Sequence, residues 1–191
     1  MRRILMRAAS ALVLAATLAL TAPLAAASVQ LGPLPSTTDA VVTTANPTII
    51  GTLRIPRFGG EYAEQIGEGI GESAVLNHMV GHFPGTAAPG GLGNFALAGH
   101  RVTYTAPLYN IHTLIIGDPI YVDTAEGRYL YRFRSLEYVD PSAIEVTYPV
   151  PHESVSTSLD RIITFVACSP MGSTAERVIA YGVFESFTPA D

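Results

Sequence analysis

Short apolar segments rich in β-branched and aromatic residues recur along the chain from Pro47 onward, separated by connections rich in glycine and proline. Within residues 129–139, the order Tyr-Leu-Tyr-Arg-Phe-Arg alternates aromatic with mostly charged positions, which predicts a half-buried strand. One short helix is predicted at residues 61–66, between glycines. The pattern predicts β-strands over residues 48–55, 74–83, 95–100, 120–123, 129–139, 161–168 and 178–184.

Many short strands with little helix are typical of an antiparallel or mixed barrel or sandwich. Ala125-Glu126-Gly127 joins two of the predicted strands and indicates a hairpin. The composition changes near Pro47 and no internal repeat is present, so we expect one domain over residues 47–191.

The first 28 residues have the features of a targeting segment. Arg2, Arg3 and Arg7 precede an apolar stretch, and Ala25-Ala26-Ala27 offers a signal-peptidase site. No charge interrupts residues 8–38, so an uncleaved membrane anchor is the alternative. In both cases we expect the domain outside the cytoplasmic membrane, because arginines favour the cytoplasmic side. Residues 29–46 are rich in Pro, Ser, Thr and Ala and are interpreted as a linker.

Charge and cysteine content bear on the protein's partners and on its thiol chemistry. The formal net charge of −5 and the 14% of charged residues give no indication of a nucleic-acid partner. The chain has one cysteine, so an internal disulfide is excluded, and a single thiol in an exported protein suggests intermolecular pairing or a reactive group.

Three residues with complementary chemistry lie at the ends of predicted strands: His100, Cys168 and Arg177. A thiol beside a guanidinium favours the thiolate and has a donor for a developing oxyanion close by. His100 supplies the proton shuttle that such a pair lacks. Each residue alone has a simpler interpretation, since a lone cysteine is usually a small buried hydrophobic residue. Periodicity does not say which strands are neighbours.

The segment Thr164-Phe165-Val166-Ala167-Cys168 resembles the Thr-Leu-x-Thr-Cys signature of sortases, the cysteine transpeptidases that attach surface proteins to Gram-positive cell walls. The residues from His82 through Asn94 to His100 are similar to the family's segment before its catalytic histidine, and Gly117-Asp118 lies where sortases have a Gly-Asp turn. The resemblance covers residues 47–187.

The short interval from Cys168 to Arg177, the Cys-x-Pro sequence and the Ala-Glu-Arg before the last strand look most like the class E sortases of actinobacteria. Sortases usually have threonine immediately before the cysteine, whereas Ala167 stands here. We therefore expect differences in fine substrate contacts.

The resemblance implies a closed eight-stranded β-barrel with short helices on its connections, and His100, Cys168 and Arg177 as catalytic residues. It also implies cleavage of a Leu-Pro/Ala-x-Thr-Gly sorting signal between Thr and Gly, through a thioester that a peptidoglycan precursor amine resolves. The implied partners are sorting-signal peptides of secreted proteins, that amine, and the membrane through the N-terminal segment. The expected state is a monomer, with no cofactor.

Two other functions remain open from the residues. One is another secreted cysteine acyl-transferase or peptidase, which does not require an arginine nine residues after the cysteine. The other is a non-catalytic wall-associated β-domain with an unreactive thiol. A metal site is not expected, because His78 and His82 have no cluster of further ligands near them in sequence and Glu153 is the one acid between Tyr148 and Ser158.

Overall fold

The computed structural model describes residues 46–191, which form one closed barrel. The order of strands around the barrel is β1-β2-β3-β4-β7-β8-β6-β5. The strands are β1 Ile49–Arg54, β2 Glu64–Glu68, β3 Val80–His82, β4 Gly93–Ala98, β5 Pro119–Thr124, β6 Gly127–Val139, β7 Arg161–Ser169 and β8 Glu176–Pro189. The prediction of a mostly β, eight-stranded barrel is confirmed.

Short helical turns lie on the connections. Three are 3₁₀ turns, at Pro56–Phe58, Ile111–Thr113 and Ile144–Thr147, and one is a π turn at Glu72–Leu76. Within residues 46–191, no helix is long and apolar enough to cross a membrane. The proposed targeting segment, and the proposed linker except for Asn46, lie outside the described residues.

Two parallel pairs interrupt the otherwise antiparallel barrel. β2 pairs with β3, and β4 pairs with β7 from Gly93↔Arg161 to Ala98↔Val166. β8 then pairs with β7 on one edge and with β6 on the other, so the last strand closes this side of the barrel.

The core is filled by alternate residues of the strands, because successive side chains of a strand point to opposite faces. On β7, Ile163, Phe165 and Ala167 belong to the core, and on β4, Phe95 and Leu97 do. The residues between them therefore face outward, where the connections cover part of the barrel.

Two local predictions are wrong. Residues 61–66 are not a helix, because the chain enters β2 at Glu64 and pairs with β1, which buries Ile66. Residues 74–83 are not one strand, because the π turn precedes the short β3. In both segments, pairing and burial across the barrel override weak local preferences.

The other strands are confirmed with shifted ends. β4 ends at Ala98, two residues before His100, and β8 extends to Pro189, beyond the predicted end at residue 184. The hairpin of β5 and β6 is confirmed, and Tyr131 and Phe133 lie on its buried face.

Candidate active site

Cys168 is the penultimate residue of β7 and lies on the outer face of the barrel. Its neighbour Ala167 is buried in the core, so the alternation of β7 turns the thiol in the opposite direction. The Cys168 residue is half-buried and forms no disulfide. Ala167, which replaces the expected threonine, presents its methyl group to the core and not to the face that carries the thiol.

Arg177 lies directly opposite Cys168 in the antiparallel pair of β7 and β8. Residues in such a pair share a face, with Cα atoms about 4.5–5.5 Å apart. The guanidinium Nη1 donates to the carbonyl oxygens of Thr174 at 3.1 Å and Glu176 at 3.0 Å. These contacts orient the guanidinium from its own loop. Glu176 pairs with Ser169, so its side chain belongs to the opposite face.

His100 follows β4, the neighbour of β7 on the other side. The N–H of Gly99 donates to the Val166 carbonyl at 3.1 Å and extends the pairing beyond Ala98↔Val166. His100 and Cys168 are each two residues past that last pair. The register therefore brings His100, Cys168 and Arg177 to one end of three adjacent strands, each about 4.8 Å from the next.

Two neighbours orient the His100 imidazole. Nε2 lies 3.2 Å from the Asn77 amide oxygen, and since that oxygen only accepts, the contact requires a proton on Nε2. The Tyr104 ring lies 5.0 Å from the imidazole, centroid to centroid, with 32° between the planes. Tyr104 has a φ of 55°, in the left-handed region that non-glycine residues rarely adopt. Sequence reasoning missed Asn77, which lies 23 residues before His100 and carries no local signal.

A second arginine, Arg101, lies beside Cys168. Arg101 is 6% exposed, and its Nη1 donates to the Cys168 carbonyl at 3.3 Å. Its Nε is buried and has no hydrogen-bond partner among the described residues. The only sequence signal for Arg101 is its position immediately after His100.

A groove extends from Arg177 along the outer face. It has a volume of about 340 Å³, with Val166 and Ile179 from the barrel on its floor. The connection between β6 and β7 forms one wall through Ile144 and Val146. Thr147 borders both this groove and a second one of about 370 Å³ that extends toward Gly93.

Asn94 attaches the wall of the groove to the barrel. Its Nδ2 donates to the carbonyls of Val146 at 2.9 Å and Tyr148 at 3.1 Å. The Thr164 hydroxyl donates to the Asn94 Oδ1 at 2.6 Å, and both side chains are buried. The wall is therefore fixed by a satisfied polar network at the junction of β4 and β7.

Within residues 46–191, no group of three or more His, Cys, Asp or Glu side chains is arranged to hold a metal. His82 is buried, with Nδ1 2.7 Å from the Glu68 carboxylate and Nε2 3.0 Å from the Ala87 carbonyl. The first contact joins β3 to β2, and the second joins β3 to the connection that follows it. His112 and His152 are exposed.

Residues 53–185 match the family model of the sortase domain. The chain is 38% identical over 137 residues to sortase SrtE1 of Streptomyces coelicolor, an alignment that covers 68% of this chain and 38% of the relative. It is 32% identical over 91 residues to sortase SrtE2 of the same organism, an alignment that covers 47% of this chain and 36% of that relative. The chain thus spans well under half the length of these curated relatives.

Solved structures resemble the barrel closely. The crystal structure of sortase E1 from Streptomyces coelicolor, with a tripeptide in its active site, superposes with a TM-score of 0.68 at 34% identity. The structure of sortase E from Streptomyces avermitilis superposes with a TM-score of 0.67 at 29% identity. Each comparison covers 74% of this chain and 91% of the solved chain.

Proposed function

Because the chain belongs to the sortase family, we propose that it is a cysteine transpeptidase of the class E type. It cleaves a Leu-Pro/Ala-x-Thr-Gly sorting signal between Thr and Gly and joins the threonine to an amine of a cell-wall precursor. The observation that carries this proposal is the pairing of Cys168 with Arg177, with His100 on the adjacent strand at the same end.

The cycle begins with Cys168 as thiolate and His100 as imidazolium. In the first step, the thiolate sulfur attacks the threonine carbonyl carbon and a C–S bond forms. Negative charge develops on the carbonyl oxygen, and Arg177 stabilises it because a guanidinium stays charged at any working pH. The C–N bond then breaks, and the leaving glycine amine takes a proton from His100. The products are a thioester and neutral imidazole.

In the second step, the acceptor amine attacks the thioester carbonyl and a new C–N bond forms. The amine proton passes to His100, the C–S bond breaks, and sulfur leaves as the thiolate. Thiolate and imidazolium are thereby restored. Asn77 and Tyr104 support this cycle, since both hold the imidazole in one orientation.

We expect the extended peptide to lie along the outer grooves. Each extended residue spans about 3.3 Å, so five residues need about 17 Å. Val166, Ile179 and the wall residues Ile144 and Val146 offer an apolar surface for the leucine of the signal. The tripeptide in the active site of the Streptomyces coelicolor relative supports a peptide ligand at this site.

We further propose that the enzyme acts as a monomer outside the cytoplasmic membrane, with residues 1–28 as its signal or anchor and residues 29–46 as linker. The apolar segment after Arg7 and the family's association with the membrane support this location.

The test incubates the full chain with Leu-Ala-x-Thr-Gly or Leu-Pro-x-Thr-Gly peptides and excess amine, followed by intact mass spectrometry. We expect a thioester adduct and a Thr-amine product from the native chain, and neither from the Cys168→Ala variant. Hydrolysis without amine product supports a peptidase instead. A folded protein that forms no adduct and cleaves neither peptide contradicts the proposal and favours a non-catalytic β-domain.

The role of Arg177 has its own test. Arg177→Lys keeps the charge but removes the planar donor set, so we expect kcat/KM for peptide cleavage to fall about 100-fold, the size reported for loss of one oxyanion donor. Arg134→Lys is the matched control, because Arg134 is exposed on β6. Equal activity of the two variants would argue against Arg177 as the oxyanion donor.

A further inference from the structure

Arg101 is a buried cation without an acidic partner. None of the ion pairs among residues 46–191 includes it. Its side chain has one hydrogen bond, from Nη1 to the Cys168 carbonyl, and its Nε has none. A guanidinium does not lose its proton in a protein, and a buried charge is costly unless an anion or a full set of acceptors compensates it. The described residues therefore do not compensate the charge of the Arg101 guanidinium.

A shallow surface cavity of about 450 Å³, widely open to solvent, adjoins this side chain. It lies at the end of the barrel beside the connection between β7 and β8. Its lining residues are Arg101, Tyr138, Ser169, Pro170, Met171 and Glu176. Arg101 is the only cation among them, and Glu176 is exposed and forms no ion pair with it.

We propose that this cavity is a subsite for the acceptor, and that Arg101 binds a carboxylate which the acceptor carries in addition to its reactive amine. A carboxylate accepts charge-assisted hydrogen bonds from the guanidinium and compensates its charge. The cavity has room for a group of amino-acid size, and the exposed Glu176 carboxylate on its rim suits a ligand that is also an amine.

The position of the cavity favours the acceptor over the sorting peptide. Ser169 lines the cavity and Cys168 precedes it, so the two side chains lie on opposite faces of the same strand end. The grooves for the extended peptide lie on the face of Cys168. A ligand held at Arg101 has only to extend over the end of β7 to bring its amine to the thioester. This inference rests on the proposed transpeptidase function.

The first experiment compares acceptors that differ only in the carboxylate: 4-aminobutyrate with 4-aminobutanamide, and 6-aminohexanoate with 6-aminohexanamide. The full chain, a sorting peptide and each amine are combined, and kcat/KM for the amine is measured. We expect the acid-to-amide ratio to fall about tenfold from the native chain to Arg101→Gln, as expected for loss of a charge-assisted hydrogen bond. Arg101→Lys retains part of the preference, because the charge remains.

The ratio within one variant cancels any general loss of activity from the broken contact with the Cys168 carbonyl. Arg134→Gln removes the same charge at an exposed site of β6 and keeps the native ratio. An unchanged ratio in Arg101→Gln overturns the proposal, because a purely structural arginine lowers both rates together. Equal use of acid and amide by the native chain at both lengths overturns it as well.

A binding measurement is independent of turnover. The Nε–H resonance of Arg101 is followed by ¹H–¹⁵N NMR in the full-length Cys168→Ala variant during titration with 4-aminobutyrate or 4-aminobutanamide. We expect a saturable shift with the acid alone, and no shift of the Arg134 signal. The absence of that shift overturns the subsite. A shift in this variant, together with no peptide turnover by the native chain, would refute the transpeptidase function and leave the carboxylate site in place.

Discussion

The polar network around Asn94 predicts a measurable link between barrel stability and the peptide groove. Asn94→Leu keeps a side chain branched at Cγ but removes all three hydrogen bonds of the amide. The carbonyls of Val146 and Tyr148 and the hydroxyl of Thr164 then lose their partner, at buried positions for Val146 and Thr164 and at a part-buried one for Tyr148.

The size of the effect follows from these contacts. Each buried polar group without a partner costs about 1–3 kcal/mol, and the leucine recovers about 2 kcal/mol of burial. The wall of the groove lies at the surface and can hydrate its two carbonyls by moving outward, which limits the loss. We therefore expect the free energy of unfolding to fall by about 2–4 kcal/mol and Tm by about 5–15 °C, given about 2–4 °C per kcal/mol for a chain of this size.

Thr164→Val is the matched control, because it breaks one hydrogen bond and leaves Asn94 bonded to the wall. We expect its free energy of unfolding to fall by about 1–2 kcal/mol. Thermal unfolding measures both variants, and hydrogen–deuterium exchange locates the change. In Asn94→Leu, the Tyr148 amide, which donates to Glu145, exchanges faster than in the control, and KM for the sorting peptide rises. Native exchange in residues 142–150, with a Tm within about 2 °C of the native value, would refute this account of the wall.

Two further predictions concern the barrel itself. In Gly182→Ala the new Cβ lies 2.8 Å from the Ile163 Cγ2, so we expect the free energy of unfolding, measured in urea, to fall by about 1–3 kcal/mol. Gly60→Ala is the neutral control, because nothing lies within 4 Å of its new Cβ. Equal stability of the two variants would contradict the predicted crowding at Gly182. Hydrogen bonds from Arg57 lower the pKa of the Asp118 carboxyl below its ordinary value. The pair therefore stabilises the folded state fully above the unfolded-state pKa of about 3.9. That stabilisation is lost as the pH falls through the lowered pKa of Asp118 in the folded state. Arg57→Met should therefore lower Tm at about pH 7 and have little effect at about pH 2, and a loss that is the same at both values would contradict the assignment.

The sequence predicted the strands and turns that depend on alternating side chains and on turn-forming residues. The strands that carry Cys168 and Arg177 and the hairpin at residues 119–139 follow from local patterns. Those patterns left a barrel or a sandwich open, and the family resemblance implied the closed eight-stranded barrel. The strand at Glu64–Glu68 does not, since its five residues gain their conformation from pairing with β1 and β3. Local preference is weak in segments this short.

Proximity in the candidate site depends on pairing that no local pattern contains. His100 and Cys168 are 68 residues apart, and only the parallel pairing of β4 with β7 brings their strand ends together. The sequence indicated the chemistry of these residues through their types and their positions at strand ends, and the family resemblance implied their catalytic roles. The burial of Arg101 had no comparable signal, because a charged residue after a strand normally faces solvent.

β8, which pairs with both β6 and β7, is the last strand of the barrel to be synthesised. The chain is synthesised from its N-terminus, so His100 emerges first, then Cys168, and Arg177 last of the three. The last strand completes both the pairing opposite Cys168 and the closure against β6. A chain that is still emerging, or whose β8 has locally detached, carries the thiol without the guanidinium that we propose as its oxyanion donor. Peptide turnover would therefore require a completely closed barrel, and detachment of β8 would abolish activity together with closure.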